Sequence, residues 1–222
     1  MSAHPQDDCP QILASLPMRA GLLSLRHACP EDATAFVEYW TESSPSYLAT
    51  LGVDTSRLGD GEQIRERFLR NLPSSTPLEQ TSVIYSLYLE DVLIGYTNLN
   101  RYDDLENYAH LHTYRKALRL ALGQRPKSKS AGGGIAACLI GLVFMHHFET
   151  FGMSRLVIQT RTRNRSINRA LDLYLPVSNT CHFEKPDGLS APGEFHMRYA
   201  YYEHRHYFRT RAQELAAFRQ EA

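Results

Sequence analysis

One helical stretch sets the terms for the rest of this chain. From Ile135 to Phe151 the sequence keeps a helical period but is apolar on nearly every side through its first three turns, and such a helix must be covered on most of its surface. Its longest apolar run, Ile135–Met145, is roughly half of the ~20 residues that cross a bilayer. The cover is therefore expected to be protein, not lipid. With 222 residues the chain has material for one sizeable domain or two small ones. The N-terminal MSAHPQDDCPQ is polar and acidic, without a signal-peptide apolar core. Cys9, Cys29, Cys138 and Cys181 lie far apart with no CxxC pair, which argues against a zinc finger or a disulfide scaffold and suits a reducing compartment. A soluble cytoplasmic protein is the expectation.

The elements around the helix read as a mixed α/β order without internal repeats. Gly21–Ala28 has the look of a first strand, and Pro30 with Glu31 and Asp32 opens a helix through Trp40. Ser43–Thr50 and Gln63–Asn71 are two further helices. Ser82–Leu89 and Val92–Leu99, joined at Glu90–Asp91, give a hairpin signal. Tyr108–Lys116 is a third strand of this group, whose alternation puts His110, His112 and Tyr114 on one face. After the apolar helix come a strand at Ser154–Thr160, a helix at Ser166–Leu175, two weaker strands at Thr180–Lys185 and Glu194–Tyr202, and a helix from Thr210 to Glu221.

Immediately before the apolar helix stands KSKSAGGG, ending in Gly132, Gly133 and Gly134. A glycine turn at a helix start frees successive backbone N–H groups toward an anion. The surrounding charge agrees: Tyr114–Arg169 holds eleven Lys or Arg against one acid, Glu149, in a chain of zero net charge. A local anion site and a merely solvated basic face both fit that count. No GxxxxGK[ST] or GxGxxG is present.

Two segments carry a family resemblance. Gly134-Ile135-Ala136, with Leu139-Ile140 three residues on, resembles the acyl-CoA loop of the GCN5-related N-acetyltransferase (GNAT) superfamily, Q/R-x-x-G-x-G/A followed by an apolar helix. NRSINRALDLYLP, Asn164–Pro176, is similar to the N-x-A-S-N-R-V-L-E-K-L-G-F segment of the branch resembling ribosomal-protein N-terminal acetyltransferases, with Asn164, Asn168, Arg169, Leu171 and Asp172 on matching or conservatively matching positions. The resemblance covers roughly Leu22–Tyr202. It implies a single α/β (α+β) domain with a mixed, mostly antiparallel sheet flanked by helices: residues 1–20 as a flexible segment, 21–209 as the acyltransferase domain and 210–222 as a terminal helix. It implies acetyl-CoA or a related acyl-CoA as co-substrate with no metal, and an acceptor that is a small-molecule amine or a protein N-terminus. No nucleic acid or membrane partner is implied, and a homodimer is compatible with it. Lys129, Gly132, Gly133, Gly134, Ile135, Ala136 and Asn164 are the implied cofactor contacts. Asn164 also suits an N-cap.

There are departures. Ala131 stands where the family has Gln or Arg, and Lys129 fits only with the register shifted by two. Leu175–Pro176 replaces Gly-Phe. Leu171 occupies the position of the tyrosine that many members use to reprotonate the thiolate, and Tyr174 is about three-quarters of a turn away. Ala117–Ser130 lengthens the approach to the loop and brings Arg119, Arg125, Lys127 and Lys129, either for CoA phosphates or as a solvated insertion. By the resemblance, a backbone N–H near His112–Arg115 holds the oxyanion.

Acyl transfer to an amine also needs a base of near-neutral pKa, and His110 or His112 supplies one if their strand face lines the cleft. Thr41–Gln63, with its acids, is expected to wall the acceptor. His146 and His147, in HHFE, lack HExxH spacing and are expected at the wetter end of the apolar helix. EHRH at Glu203–His206 and RTRNR at Arg161–Arg165 are weaker metal and RNA signals. Two rivals stay open: an acyl-CoA-binding protein of this fold without catalysis, and an unrelated nucleotide-binding fold.

Overall fold

The computed structural model describes residues 11–18, 20–74, 77–101, 107–123, 131–175, 179–184 and 189–218. Its first element is a strand where flexibility was expected. Ile12–Met18 (β1) pairs antiparallel with Gly21–His27 (β2). Leu16 and Met18 are buried while Ser15 and Pro17 face out. Pro17 hides this strand in the sequence, yet an edge strand tolerates a missing N–H.

Pro30–Asp32 form a short 3-10 turn into Ala33–Thr41 (α1), followed by Pro45–Leu51 (α2) and Gly61–Arg70 (α3). Local capping explains these starts. Ser44 Oγ accepts from the Tyr47 N–H at 3.3 Å. Asp60 Oδ1 accepts from the Gln63 N–H at 2.9 Å while Gln63 Oε1 accepts from the Asp60 N–H at 3.1 Å, a reciprocal pair that satisfies two orphan helix donors.

Ser82–Leu89 (β3) and Val92–Arg101 (β4) form the expected hairpin. Its register jumps from Leu87↔Gly95 to Tyr88↔Leu93, leaving Ile94 as an extra residue in β4. Such a bulge breaks the alternation: Ile94 joins the core of one sheet face and Tyr96 that of the other. Asn107–Thr113 (β5) is shorter than predicted, because Arg115–Ala121 (α4) takes up the end of that segment. Ala131–Phe151 (α5), Arg155–Arg161 (β6), Arg165–Leu171 (α6), Asn179–Phe183 (β7), Gly193–Tyr201 (β8) and Arg205–Phe218 (α7) complete the chain. The terminal helix thus begins five residues before the predicted Thr210.

The eight strands form one sheet in the order β1-β2-β3-β4-β5-β6-β8-β7, antiparallel throughout except between β5 and β6. Two cores lie on its two faces. One joins α5, α6 and α7 to Leu23, Leu25, Tyr85 and Leu87; the other joins α1, α2 and α3 to Ile84, Tyr96 and Tyr114. The apolar helix α5 finds its cover as its composition demands. The sheet lies on one side of it and α7 on the other, so close that a Cβ on Gly141 would come within 2.7 Å of Ala212 Cβ. Among the described residues no helix is long and apolar enough to cross a membrane.

The far end of α5 departs from expectation. His146 and His147 are not at a wet end: His147 is 0% exposed with neither ring nitrogen hydrogen-bonded to a described residue. Tyr85 packs edge-on to His146 at 4.8 Å and tilts against His147 at 5.9 Å. Their spacing along α5 turns both rings toward β3, which the sequence pattern alone does not reveal.

Candidate active site

The one parallel contact in the sheet is also its weakest. β5 and β6 share a single paired position, Tyr108↔Val157, and beyond it the two strands part. On the other edge β5 runs in full register with β4, from Arg101↔Asn107 to Gly95↔Thr113, and the Tyr114 N–H donates to the Ile94 carbonyl at 2.7 Å. Alternation in an antiparallel ladder then turns the N–H groups of Leu111 and Thr113 away from β4, toward the gap. Tyr114, inside the range expected to supply an oxyanion donor, has its N–H committed.

Two cavities meet at this gap. On the α5 face a small one of about 120 Å³ is lined by Ala109, Leu111, Ile140, Phe144, Asn164 and Leu171. On the α1 face a larger one of about 640 Å³ is lined by Trp40, Arg67, Tyr96, Asn100, Tyr108 and Met197. His110, His112, Gln159 and Leu51 line both, so the parted strands form a passage through the sheet.

Both predicted histidines stand at the junction, in different settings. His112 is clamped. Its ring stacks on Tyr96, its cross-strand partner, at 4.8 Å and 14°, with Trp40 at 5.2 Å. Its Nδ1 lies 3.1 Å from Tyr39 Oη, which in turn lies 3.3 Å from Tyr47 Oη. His112 keeps some solvent-accessible surface, but protein crowds its ring, and burial followed by the nearby His110 lowers its pKa to about 3. Burial lowers His110 as well. Both rings are therefore neutral at physiological pH. The His110 ring makes no hydrogen bond to another described residue, whereas its carbonyl accepts from Thr97 Oγ1 at 2.6 Å. Gly95 permits this packing, because a Cβ there would collide with the His112 carbonyl oxygen and lie 3.0 Å from Thr113 Cα.

The predicted cofactor contacts divide. Gly132, Gly133 and Gly134 lie within the first turn of α5, which starts at Ala131, so the expected turn is already helix; its first four N–H groups have no partner within the helix. Ile135 is 2% exposed and packs in the core, which leaves only its backbone for a ligand, while Ala136 is partly buried. Lys129, Arg125 and Lys127 lie outside the described residues. Asn164 holds the N-cap position of α6, yet its side chain makes no capping bond and lines the small cavity.

The rest of its motif is structural. Asn168 Nδ2 donates to the carbonyls of Arg161 at 2.9 Å and Thr162 at 3.2 Å, fastening the end of β6. The buried Arg198 donates to Asn168 Oδ1 and Asp172 Oδ1, each at 2.7 Å. Leu171 lines the small cavity where a tyrosine was absent from the sequence. Tyr174 is turned away, donating to the Ala137 carbonyl at 2.7 Å.

Several cations of the basic middle third also have structural duties: Arg115 over Tyr47 at 4.2 Å, Arg161 over Phe195 at 4.5 Å, and Arg163 on the Ala49 carbonyl at 2.9 Å. The acids expected to wall the acceptor do not line the larger cavity. Asp60 caps α3, and Asp54 Oδ1 accepts from the Ser56 N–H at 3.1 Å. Leu51, Gly52 and Val53, from the same segment, do line it. Sequence reasoning missed Gln159 and the aromatic box of Tyr39, Trp40 and Tyr96. The one available signal was Gln159 itself, an amide amid the apolar residues of LVIQT.

No protein-family model and no curated protein matches the sequence. Solved structures do match. Mycobacterium smegmatis RimJ in complex with CoA-disulfide aligns with a TM-score of 0.62 at 14% identity, over 91% of this chain and 96% of its own. Spermidine N-acetyltransferase from Vibrio cholerae, in complex with CoA and spermine, aligns at 0.61 with 9% identity, over 82% and 96%. A GNAT-family acetyltransferase from Bacillus anthracis aligns at 0.57 with 13% identity, over 85% and 99%. The chain has the fold of the GNAT acetyltransferases, a single domain whose mixed, mostly antiparallel sheet opens between β5 and β6.

Proposed function

We propose that the protein is an acyl-CoA-dependent N-acyltransferase that moves an acetyl group from acetyl-CoA to the amine of a small molecule or a protein N-terminus, in the cytoplasm. The observation that carries this reading is the parting of β5 and β6, with one cavity on each face meeting at His110, His112 and Gln159. A thioester threaded from the α5 face and an amine entering from the α1 face meet there, which makes the reaction a matter of positioning.

The free N–H groups at the start of α5 suit the pyrophosphate. The cleft edge of β5 and the Asn164 side chain suit the pantetheine arm. Thr113, its N–H turned toward the gap, replaces Tyr114 as the donor facing a developing oxyanion. His110, with an uncommitted ring in the passage, is the group that takes the amine proton, and His112 holds the wall. A base whose own pKa burial lowers does not retain the proton; it hands it on to solvent. The thiolate leaves without a tyrosine acid, since Leu171 fills that place. The neighbours named above, one a spermidine acetyltransferase bound to CoA, are consistent with acyl-CoA as the donor.

The test is a thermal-shift series with CoA, acetyl-CoA and ATP, together with thiol release from acetyl-CoA across a panel of amines. Stabilisation by CoA and amine-dependent thiol release are expected. Stabilisation by ATP alone overturns the reading. CoA binding without thiol release would instead assign a non-catalytic acyl-CoA binder.

A further inference from the structure

The larger cavity has a chemical character of its own. Its walls are aromatic and amide-rich, and among the described residues the charged group on it is Arg67, with no carboxylate lining it. Arg67 lies on α3, partly buried, and is oriented by one bond from Nη2 to the Leu58 carbonyl at 3.1 Å. No carboxylate of a described residue lies within ion-pair distance of it. A guanidinium has five donors in a planar fork, so most of them remain for a ligand.

A second donor is aimed by its neighbours. Asn100 Oδ1 accepts from Ser82 Oγ at 2.8 Å and from Asn98 Nδ2 at 3.3 Å. With its oxygen thus engaged, the Asn100 amide NH₂ is left to donate, and Asn71 lines the same cavity. Phe36, Phe68 and Trp40 add aromatic surface to the same cavity.

The register supplies a distance. Asn98 pairs with His110 and Asn100 with Tyr108; two residues along a strand are about 7 Å. Asn100 thus stands about that length along the sheet from Asn98, the residue opposite the His110 that would receive the amine proton.

We propose that this cavity selects amines carrying an anionic group, a carboxylate held by Arg67 and Asn100 and joined to the reacting nitrogen by a flat apolar body, and that it rejects polyamines. A second cationic centre on the ligand would have to approach Arg67, where like charge repels it. The assignment rests on the acyltransferase reading for which end of the ligand reacts, but the binding preference itself does not. It also separates this chain from the structural neighbour that acts on spermidine.

The experiment is isothermal titration of the whole chain, with and without CoA, using para-(aminomethyl)benzoate, the matching para-(aminomethyl)benzamide and spermidine. The carboxylate is expected to bind at least about tenfold tighter than the amide, the size of one hydrogen bond between charged partners, with spermidine weaker still. Arg67→Gln should erase the preference and Arg67→Lys should keep part of it, both variants melting like the parent. Equal or tighter binding of the amide or of spermidine overturns the proposal. So does a preference that survives in Arg67→Gln, or no binding of the carboxylate at millimolar concentration. Failure of CoA to bind while the carboxylate preference holds would sink the acyltransferase reading and leave this one standing.

Discussion

Lowering the pH from 7 to 5 should destabilise this protein by way of two histidines outside the candidate site. His146 is 7% exposed and His147 not at all. His146 Nδ1 lies 3.2 Å from Thr150 Oγ1, and its Nε2 and both nitrogens of His147 have no partner among the described residues. Among the described residues no carboxylate is paired with either. The groups around them are Tyr85, Phe151 with Arg101 stacked over it, and His27, itself pushed down by burial. Burial, then the proximity of His27, lowers His146 to about 4, and burial with the proximity of His146 takes His147 well below the usual 6.5.

The sign follows from which state binds protons. Below pH 6.5 an unfolded histidine takes up a proton that the folded one refuses, so stability is whole above 6.5 and is lost as pH falls toward the folded value. The slope is about 1.4 kcal/mol per pH unit for each group. Over the 1.5 units from 6.5 to 5, His146 therefore contributes about 2 kcal/mol of destabilisation, and His147, lowered by burial in the same direction, adds to it. A domain holds about 5–15 kcal/mol in total, so the loss is a large share of it. Urea titrations at pH 7 and pH 5 measure it directly. His147→Leu removes one titrating group and should make the drop measurably smaller. His110 and His112 are the same in parent and variant, so they cancel in the comparison. Equal stability at both pH values, or an unchanged drop in His147→Leu, would refute the argument.

Three other outcomes bear on the site and its frame. His110→Asn should lower kcat/KM by about 10²–10⁴-fold, the range of one general base, and remove the acidic limb of the pH–rate profile while the CoA dissociation constant stays put; a similar loss in binding would move His110 out of the chemistry. Gly95→Ala forces a methyl into the His112 carbonyl, so it should cost about 1–3 kcal/mol as overpacking does and depress turnover by displacing β5, both read from a melt and a steady-state assay of one preparation. Asp172→Asn removes the charge opposite the buried Arg198. A loss of about 1–3 kcal/mol in urea, with little change in thiol release per folded molecule, would mark the pair as structural.

Much of this molecule can be read from local pattern. The Glu90–Asp91 hairpin, the strand that carries His110 and His112 on one face, and the buried character of the helix after the glycines are all properties of short-range periodicity. Side-chain alternation and helical period are fixed by backbone geometry before any tertiary contact forms, so these elements appear where they were expected. The two-segment resemblance identified the fold for the same reason, since its motifs are contiguous.

Long-range pairing decided the rest. β1 was missed because Pro17 argues against a strand unless that strand lies at an edge, and only the sheet order places it there. HHFE reads as polar, but the packing of α5 on β3 buries its two histidines. The acids of the Thr41–Gln63 segment suggested a wall for a cationic acceptor; folded, Asp54 and Asp60 cap short helices, and among the described residues Arg67 is the charged group on the cavity. The passage itself has no sequence signature. It exists because two strands over forty residues apart pair at one position and then diverge, and which backbone groups stay unpaired is settled when the whole sheet closes around them.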